Sequence, residues 1–277
     1  MRRAAALALA LAALFAAQGV RAQGQAVLDV MDNRGAMLGW EAVGRLDTPG
    51  GFCTGALIAR DLVLTAAHCV FDRASAAPIP AGRILFRAGY HRGTQIAARE
   101  VSAWVVPPNY RPAPGGYQSG PAIASDVALL KLSSPIFSSE ADPFIIHENP
   151  PEGSTVSVVS YGRGREEVLS RERDCAVVER YRNGELAFDC DVTFGSSGAP
   201  VFIRDNGRLR ILAVMSAIRQ DERGRTTVAF GPGVAGVVPA LAARLRKDDS
   251  RATPGTGARR VGVGGERRAG GARFVRP

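Results

Sequence analysis

Histidine is scarce in this chain of 277 residues, which has only His68, His91 and His147. Any reaction that needs an imidazole base must therefore use one of these three. Cysteine is limited to four positions, and neither a Cys-x-x-Cys nor a His-x-x-x-His spacing occurs, which removes the usual frames of a zinc site. The reading is of no metal and no cofactor. The apolar run from Ala4 to Ala17 falls short of the ~20 residues that span a bilayer, and no internal repeat stands out. Aromatic residues are few, and the basic C-terminal stretch has only Phe274, which argues against a nucleic-acid surface built on stacked bases.

What is present at the N-terminus reads as an export signal. Arg2-Arg3 precedes the Ala/Leu-rich run, and Val20-Arg21-Ala22 puts small residues at the cleavage positions, so residues 1–22 are expected to be removed after Ala22. Residues 23–38 read as an irregular lead-in or short propeptide. At the other end, residues 248–277 are rich in Gly, Arg and Ala without hydrophobic period and are expected to be disordered. The net charge of +9 resides mostly in these ends: the signal carries +3 and the tail +4, leaving +2 for residues 23–247. A core so near neutrality makes no electrostatic case for nucleic acid as a partner.

The core consists of short apolar segments separated by Gly, Pro, Asn and Asp. About a dozen strands are expected, from Trp40–Leu46 to Thr226–Phe230, which argues for an all-β architecture and suits two small barrels better than one. A dividing linker is placed within 133–153, rich in Ser, Pro and acids. One helix is expected after Val237, with proline in its first turn and Val238, Leu241 and Leu245 on one face. Of three possible cysteine pairings, the local one joins Cys53 to Cys69 and Cys175 to Cys190, each closing a loop of hairpin span. Exported chains meet an oxidising compartment, so disulfides are the expected state.

The chemistry centres on Gly195-Ser196-Ser197-Gly198-Ala199-Pro200, a hydroxyl pair enclosed by glycines and followed by an apolar strand. Serine is a weak nucleophile unless a base takes its proton and donors stabilise the oxyanion that forms. His91 and His147 sit in polar, turn-like surroundings. His68 closes the apolar run Val63-Leu64-Thr65-Ala66-Ala67 and is pinned by its neighbour Cys69, which favours it as the base. Asp126 opens the very apolar strand Val127–Leu132, where an unpartnered charge would be costly, and is the candidate acid.

Taken together, Cys53-Thr54-Gly55-Ala56-Leu57-Ile58, then Leu64-Thr65-Ala66-Ala67-His68-Cys69, then Asp126-Val127-Ala128-Leu129-Leu130, then Gly195 to Pro200, resemble the chymotrypsin/trypsin superfamily of serine endopeptidases. The resemblance spans residues 39–247, the expected peptidase domain. It implies two packed six-stranded antiparallel barrels with a C-terminal helix and a catalytic cleft between the barrels. It also implies Ser197 as nucleophile, His68 as general base and Asp126 as its orienter, with the backbone N–H groups of Gly195 and Ser197 as the oxyanion hole. Ser216, Ala217 and Ile218 would be the strand that pairs with substrate.

Three positions bear on regulation and specificity. Ser196 stands where digestive members carry the aspartate that pairs with a freshly cut N-terminus, so that switch is not expected; the pattern is more similar to the bacterial V8-like, glutamyl endopeptidase-like branch. Asp191 occupies the place where trypsin-like members hold a basic side chain, yet V8-like members often carry aspartate there with no basic preference, and both readings stay open. Met215 replaces the substrate-binding histidine of the V8-like branch, which argues against glutamate preference. The expectation is a monomeric peptidase, secreted or periplasmic, acting on polypeptides, without nucleic acid and without a membrane anchor once the signal is cut. The alternative is a catalytically silent binding protein on the same scaffold.

Overall fold

The computed structural model describes residues 28–116, 119–147 and 152–251. The expected signal, residues 1–22, and residues 252–277 of the tail lie outside the described residues.

The described residues begin with a short strand, β1 (Leu28–Val30), and a single helical turn, α1 (Arg34–Met37). This corrects the reading of an irregular lead-in. Asn33 caps the turn by accepting from the Ala36 N–H at 3.0 Å. Met31 and Met37 are buried in one core cluster with Trp40, so these residues belong to the packed body of the protein.

Six strands then close into an antiparallel barrel: β2 (Val43–Thr48), β3 (Gly51–Ala59), β4 (Leu62–Thr65), β5 (Leu85–Ala88), β6 (Ala97–Val105) and β7 (Ala128–Leu132). Closure leaves no open edge in this half. The interior is filled by Leu46, Leu57, Val63, Ile84, Phe86 and Leu130, all fully buried. Gly44 has a packing reason: a Cβ there would come within 2.5 Å of the Phe86 ring and of the Arg87 carbonyl oxygen.

The connection 133–153 crosses between the two halves. Ile136 and Ala141 pack into the first barrel, and Ile146 packs against the interface cluster as part of β8 (Ile145–Ile146). The second half contains β9 (Thr155–Gly162), β10 (Arg165–Arg180), β11 (Glu185–Phe188), β12 (Pro200–Asp205), β13 (Arg208–Val214), β14 (Ala217–Gln220) and β15 (Thr226–Pro232). They form a nine-stranded sheet in the order β14-β15-β11-β10-β9-β12-β13-β8, with β1 added alongside β10. Six of them, β9 to β13 and β15, wrap around Val158, Phe188, Val201 and Leu212. An isolated bridge between Ala213 and Gly233 ties the ends of this ring together.

The second half is thus a barrel with attached edge strands, larger than the six strands expected. The additional strands are β1, β8 and β14, each pairing with one ring strand; β1 lies on the charged segment Arg165–Glu172 of β10, where Arg171 reaches Asp29 at 2.7 Å. Two helices complete the fold: α2 (Gly120–Ala124), a short turn before β7, and α3 (Val238–Arg251), the last element. The latter runs to Arg251, so residues 248–251, expected to be disordered, are helical. Val238, Leu241 and Leu245 are its buried face, as the spacing predicts. No helix among the described residues is long and apolar enough to cross a membrane.

A third cluster, with Trp40, Val43, Leu64, Leu129, Val159, Tyr161 and Phe202, joins the two halves. Polar contacts cross the same boundary. Arg45 of the first barrel reaches Glu167 of the second at 2.9 Å, and Tyr90 donates to Glu167 at 2.6 Å.

Candidate active site

His68 sits in a 3-10 turn, Ala67–Val70, directly after β4. The turn is anchored by the Cys53–Cys69 disulfide, while Cys175 and Cys190 form the second disulfide. Both pairings are those expected. The disulfide also answers a question of metal binding. Ligand atoms of Cys53, His68 and Cys69 lie within 4.8 Å of one another, but the sulfurs are bonded to each other and offer no thiolate.

Asp126 is completely buried and is satisfied on both oxygens. One accepts from the His68 backbone N–H at 2.8 Å; the other faces His68 Nδ1 at 2.6 Å and accepts from the Ser216 hydroxyl at 2.5 Å. This arrangement fixes the Nδ1–H tautomer and leaves Nε2 free to take a proton. Burial lowers the affinity of the imidazole for a proton, but the charge and hydrogen bond of Asp126 outweigh it. The pKa of His68 is therefore raised above its ordinary value.

Ser197 and His68 line the same cleft, of about 430 Å³, between the two halves. The turn that carries Ser197 is held from the first barrel by one residue, Thr54. Its N–H donates to the Ser197 carbonyl at 2.9 Å, its hydroxyl donates to the Gly195 carbonyl at 3.2 Å, and the same hydroxyl accepts from the Tyr161 N–H at 3.1 Å.

The N–H groups of Ser196, Gly198 and Ala199 are all committed, to Thr193, Met215 and Ser196 carbonyls. Those of Gly195 and Ser197 find no acceptor among the described residues. Two free donors flanking the hydroxyl are what a developing oxyanion requires. Gly195 adopts φ +93°, and a Cβ there would meet the Phe52 ring at 2.7 Å. Its glycine is thus required twice, by conformation and by space.

Of the other residues singled out, Ser216, Ala217 and Ile218 line the cleft, and β14 is the outermost strand of its sheet, with backbone groups open to an added strand. Asp191 is not brought to this cleft. It is exposed and lines a separate cavity of about 460 Å³ with Leu28, Arg163, Arg165 and Glu172. Its backbone N–H donates to Glu172 Oε1 at 2.6 Å, which turns this stretch away from the substrate side. The reading of Asp191 as the floor of the substrate pocket is corrected accordingly.

The sequence reading missed the group behind the nucleophile turn. Ser196 is buried, and its hydroxyl lies 3.0 Å from that of Ser160. Arg165 donates to the Ser160 hydroxyl at 2.9 Å and to the Ser160 carbonyl, and reaches the Ser196 hydroxyl at 3.4 Å. Burial lowers the Arg165 pKa, while Glu172 opposes the shift. A serine–serine–arginine cluster thus stands where the resemblance led one to look for a carboxylate. Nothing in the sequence separates Arg165 from the exposed Arg163 two residues earlier.

A family model described as a trypsin-like peptidase domain matches residues 53–210, more than half of the chain. The chain belongs to the trypsin-like peptidase family. A trypsin of Sarcophaga bullata is 31% identical over 116 residues, which is 40% of this chain and 39% of the relative. Trypsin theta of Drosophila melanogaster is 30% identical over 186 residues, 57% of this chain and 65% of the relative. The chain thus spans less than two thirds of the length of these curated relatives. Among solved structures, a Glu endopeptidase in complex with MPD superposes with a TM-score of 0.63 at 21% identity, covering 81% of this chain and 98% of the other. The protease Anisep from Arthrobacter nicotinovorans gives 0.58 at 18% identity, covering 73% and 93%. These likenesses establish the chymotrypsin-like fold of this trypsin-like peptidase.

Proposed function

We propose that the chain is an exported serine endopeptidase that hydrolyses polypeptides through an acyl-enzyme. Ser197 attacks the scissile carbonyl while His68 Nε2 takes its proton. The Gly195 and Ser197 N–H groups receive the oxyanion, and His68 then returns the proton to the leaving amine. Water repeats the sequence on the acyl-enzyme and frees Ser197. Asp126 holds the imidazole in register and stabilises its cationic form.

The observation that carries this reading is the pair of N–H groups at Gly195 and Ser197 that find no acceptor among the described residues, in a turn where those of Ser196, Gly198 and Ala199 are bonded. A silent binding scaffold has no use for that selectivity. Export is supported by the two disulfides.

A small fluorophosphonate is the direct probe. It should label the mature protein at Ser197, and His68→Ala should abolish labelling. Asp126→Asn should fold normally yet lower peptide hydrolysis by about 10⁴-fold. Folded wild-type protein that neither labels nor cleaves a mixed peptide library would show the silent alternative to be correct.

A further inference from the structure

The displacement of Asp191 leaves a question that the peptidase reading does not answer: which side chain fits beside Ser197. Two stretches of chain wall that part of the cleft, Val192 to Phe194 and Met215 to Ile218, with Gln220 beyond. Val192 and Met215 are each only 2% exposed and belong to one apolar cluster with Ala229. Ile218 pairs directly with Ala229 across β14 and β15 and packs on that cluster while remaining half-exposed. It thus fills space where a longer substrate side chain would otherwise extend. The Val192 carbonyl, a polar group able to meet a cationic side chain, already accepts from the Thr226 hydroxyl at 2.7 Å.

Charge is absent from these walls. The acid and the arginine that line the cleft, Asp72 and Arg73, lie on the stretch after Cys69. Asp72 accepts from Ser75 and Ala74 of its own loop, and Arg73 donates to the Gly115 carbonyl at 3.2 Å. The two nearby carboxylates, Asp191 and Glu172, face the other cavity. A guanidinium, ammonium or carboxylate placed against Val192, Met215 and Ile218 would give up its hydration without a partner, whereas an aliphatic group would lose only water contacts.

We propose that this pocket selects a small or medium aliphatic residue, alanine, valine or leucine, on the acyl side of the scissile bond, and that Ile218 sets its depth. The inference rests on the peptidase reading above and adds the substrate class.

The test separates the two. Labelling by a small fluorophosphonate reports a working Ser197 whatever the pocket accepts. A peptide series identical except at the residue on the acyl side, carrying Ala, Val, Leu, Phe, Arg, Lys, Glu or Asp, then reports the pocket. The aliphatic substrates should exceed the charged ones in kcat/KM by ~100-fold. Ile218→Ala should raise the Phe-to-Ala ratio by ~10-fold, because the space it frees accepts a ring. Preferred cleavage after Arg or Lys, or after Glu or Asp, by a protein that labels normally would overturn the proposal. So would a Phe-to-Ala ratio unchanged in both Ile218→Ala and Ile218→Gly.

Discussion

Glu172→Gln should make the protein more resistant to unfolding at alkaline pH and leave it unchanged in acid. Glu172 is only 3% exposed, and one of its oxygens, Oε2, has no hydrogen-bond partner. Burial is the main influence and raises the pKa. The Asp191 N–H works against this, nearby Asp191 adds to it, and Arg165 opposes it, with the outcome pushed up from 4.5 to about 7. The fold therefore prefers the neutral carboxyl. Between 4.5 and about 7 the native state binds more protons than the unfolded chain, so stability falls as pH rises. The contribution is fully present below 4.5 and is lost as pH rises through about 7. The shift from 4.5 to about 7 is 2.5 units, which at 1.36 kcal/mol per unit corresponds to about 3 kcal/mol. Glutamine keeps the acceptor for the Asp191 N–H and cannot ionise. Urea unfolding of both proteins at pH values from 4 to 9 gives the comparison. His68, whose pKa is also raised, titrates in both and cancels in the difference. Equal pH dependence of the two proteins, or a variant that is less stable above pH 8, would refute the reasoning.

Two further outcomes follow from packing and covalent geometry. Gly198 adopts φ +74°, and a Cβ would fall 2.0 Å from the Thr65 hydroxyl oxygen and 2.4 Å from the Thr54 carbonyl oxygen. Gly198→Ala should therefore cost more than ~3 kcal/mol, read as a lowered urea midpoint; a midpoint equal to wild type would contradict the model of a turn clamped against β3 and β4. The Cys175–Cys190 bond closes a loop of 15 residues. Replacing both cysteines with alanine should cost ~3 kcal/mol, measured by the same unfolding assay without reductant, which leaves the Cys53–Cys69 bond intact in both proteins; a midpoint equal to wild type would contradict this.

Much of the proposed catalytic constellation was legible because its parts are local. His68 stands beside a cysteine at the end of a buried strand, and Ser197 stands between glycines, so residue type and near neighbours restricted the choice. Asp126 was recognisable by the apolar strand it opens. The reading failed where a residue's meaning depends on distant partners. Asp191 has the right spacing from Ser197 for a pocket floor, but one hydrogen bond to Glu172, 19 residues earlier in the chain, turns its stretch toward another cavity. Arg165 looks like any hairpin arginine until β9 and the nucleophile turn fold around it. Residues Leu28–Val30 become strand only because β10 provides an edge.

By itself the sequence determined the barrel-forming pattern and the cysteine pairs, and it singled out the proposed nucleophile, base and acid, since hydrophobic period, loop closure and side-chain chemistry are properties of short stretches. Only the tertiary structure decided which N–H groups remain free beside Ser197 and what replaces the carboxylate behind it. It also decided that Val192, Met215 and Ile218 line the cleft and that Asp191 does not. Those features are made by groups far apart in the chain, whose desolvation and hydrogen bonding exist only once the two halves have closed on each other.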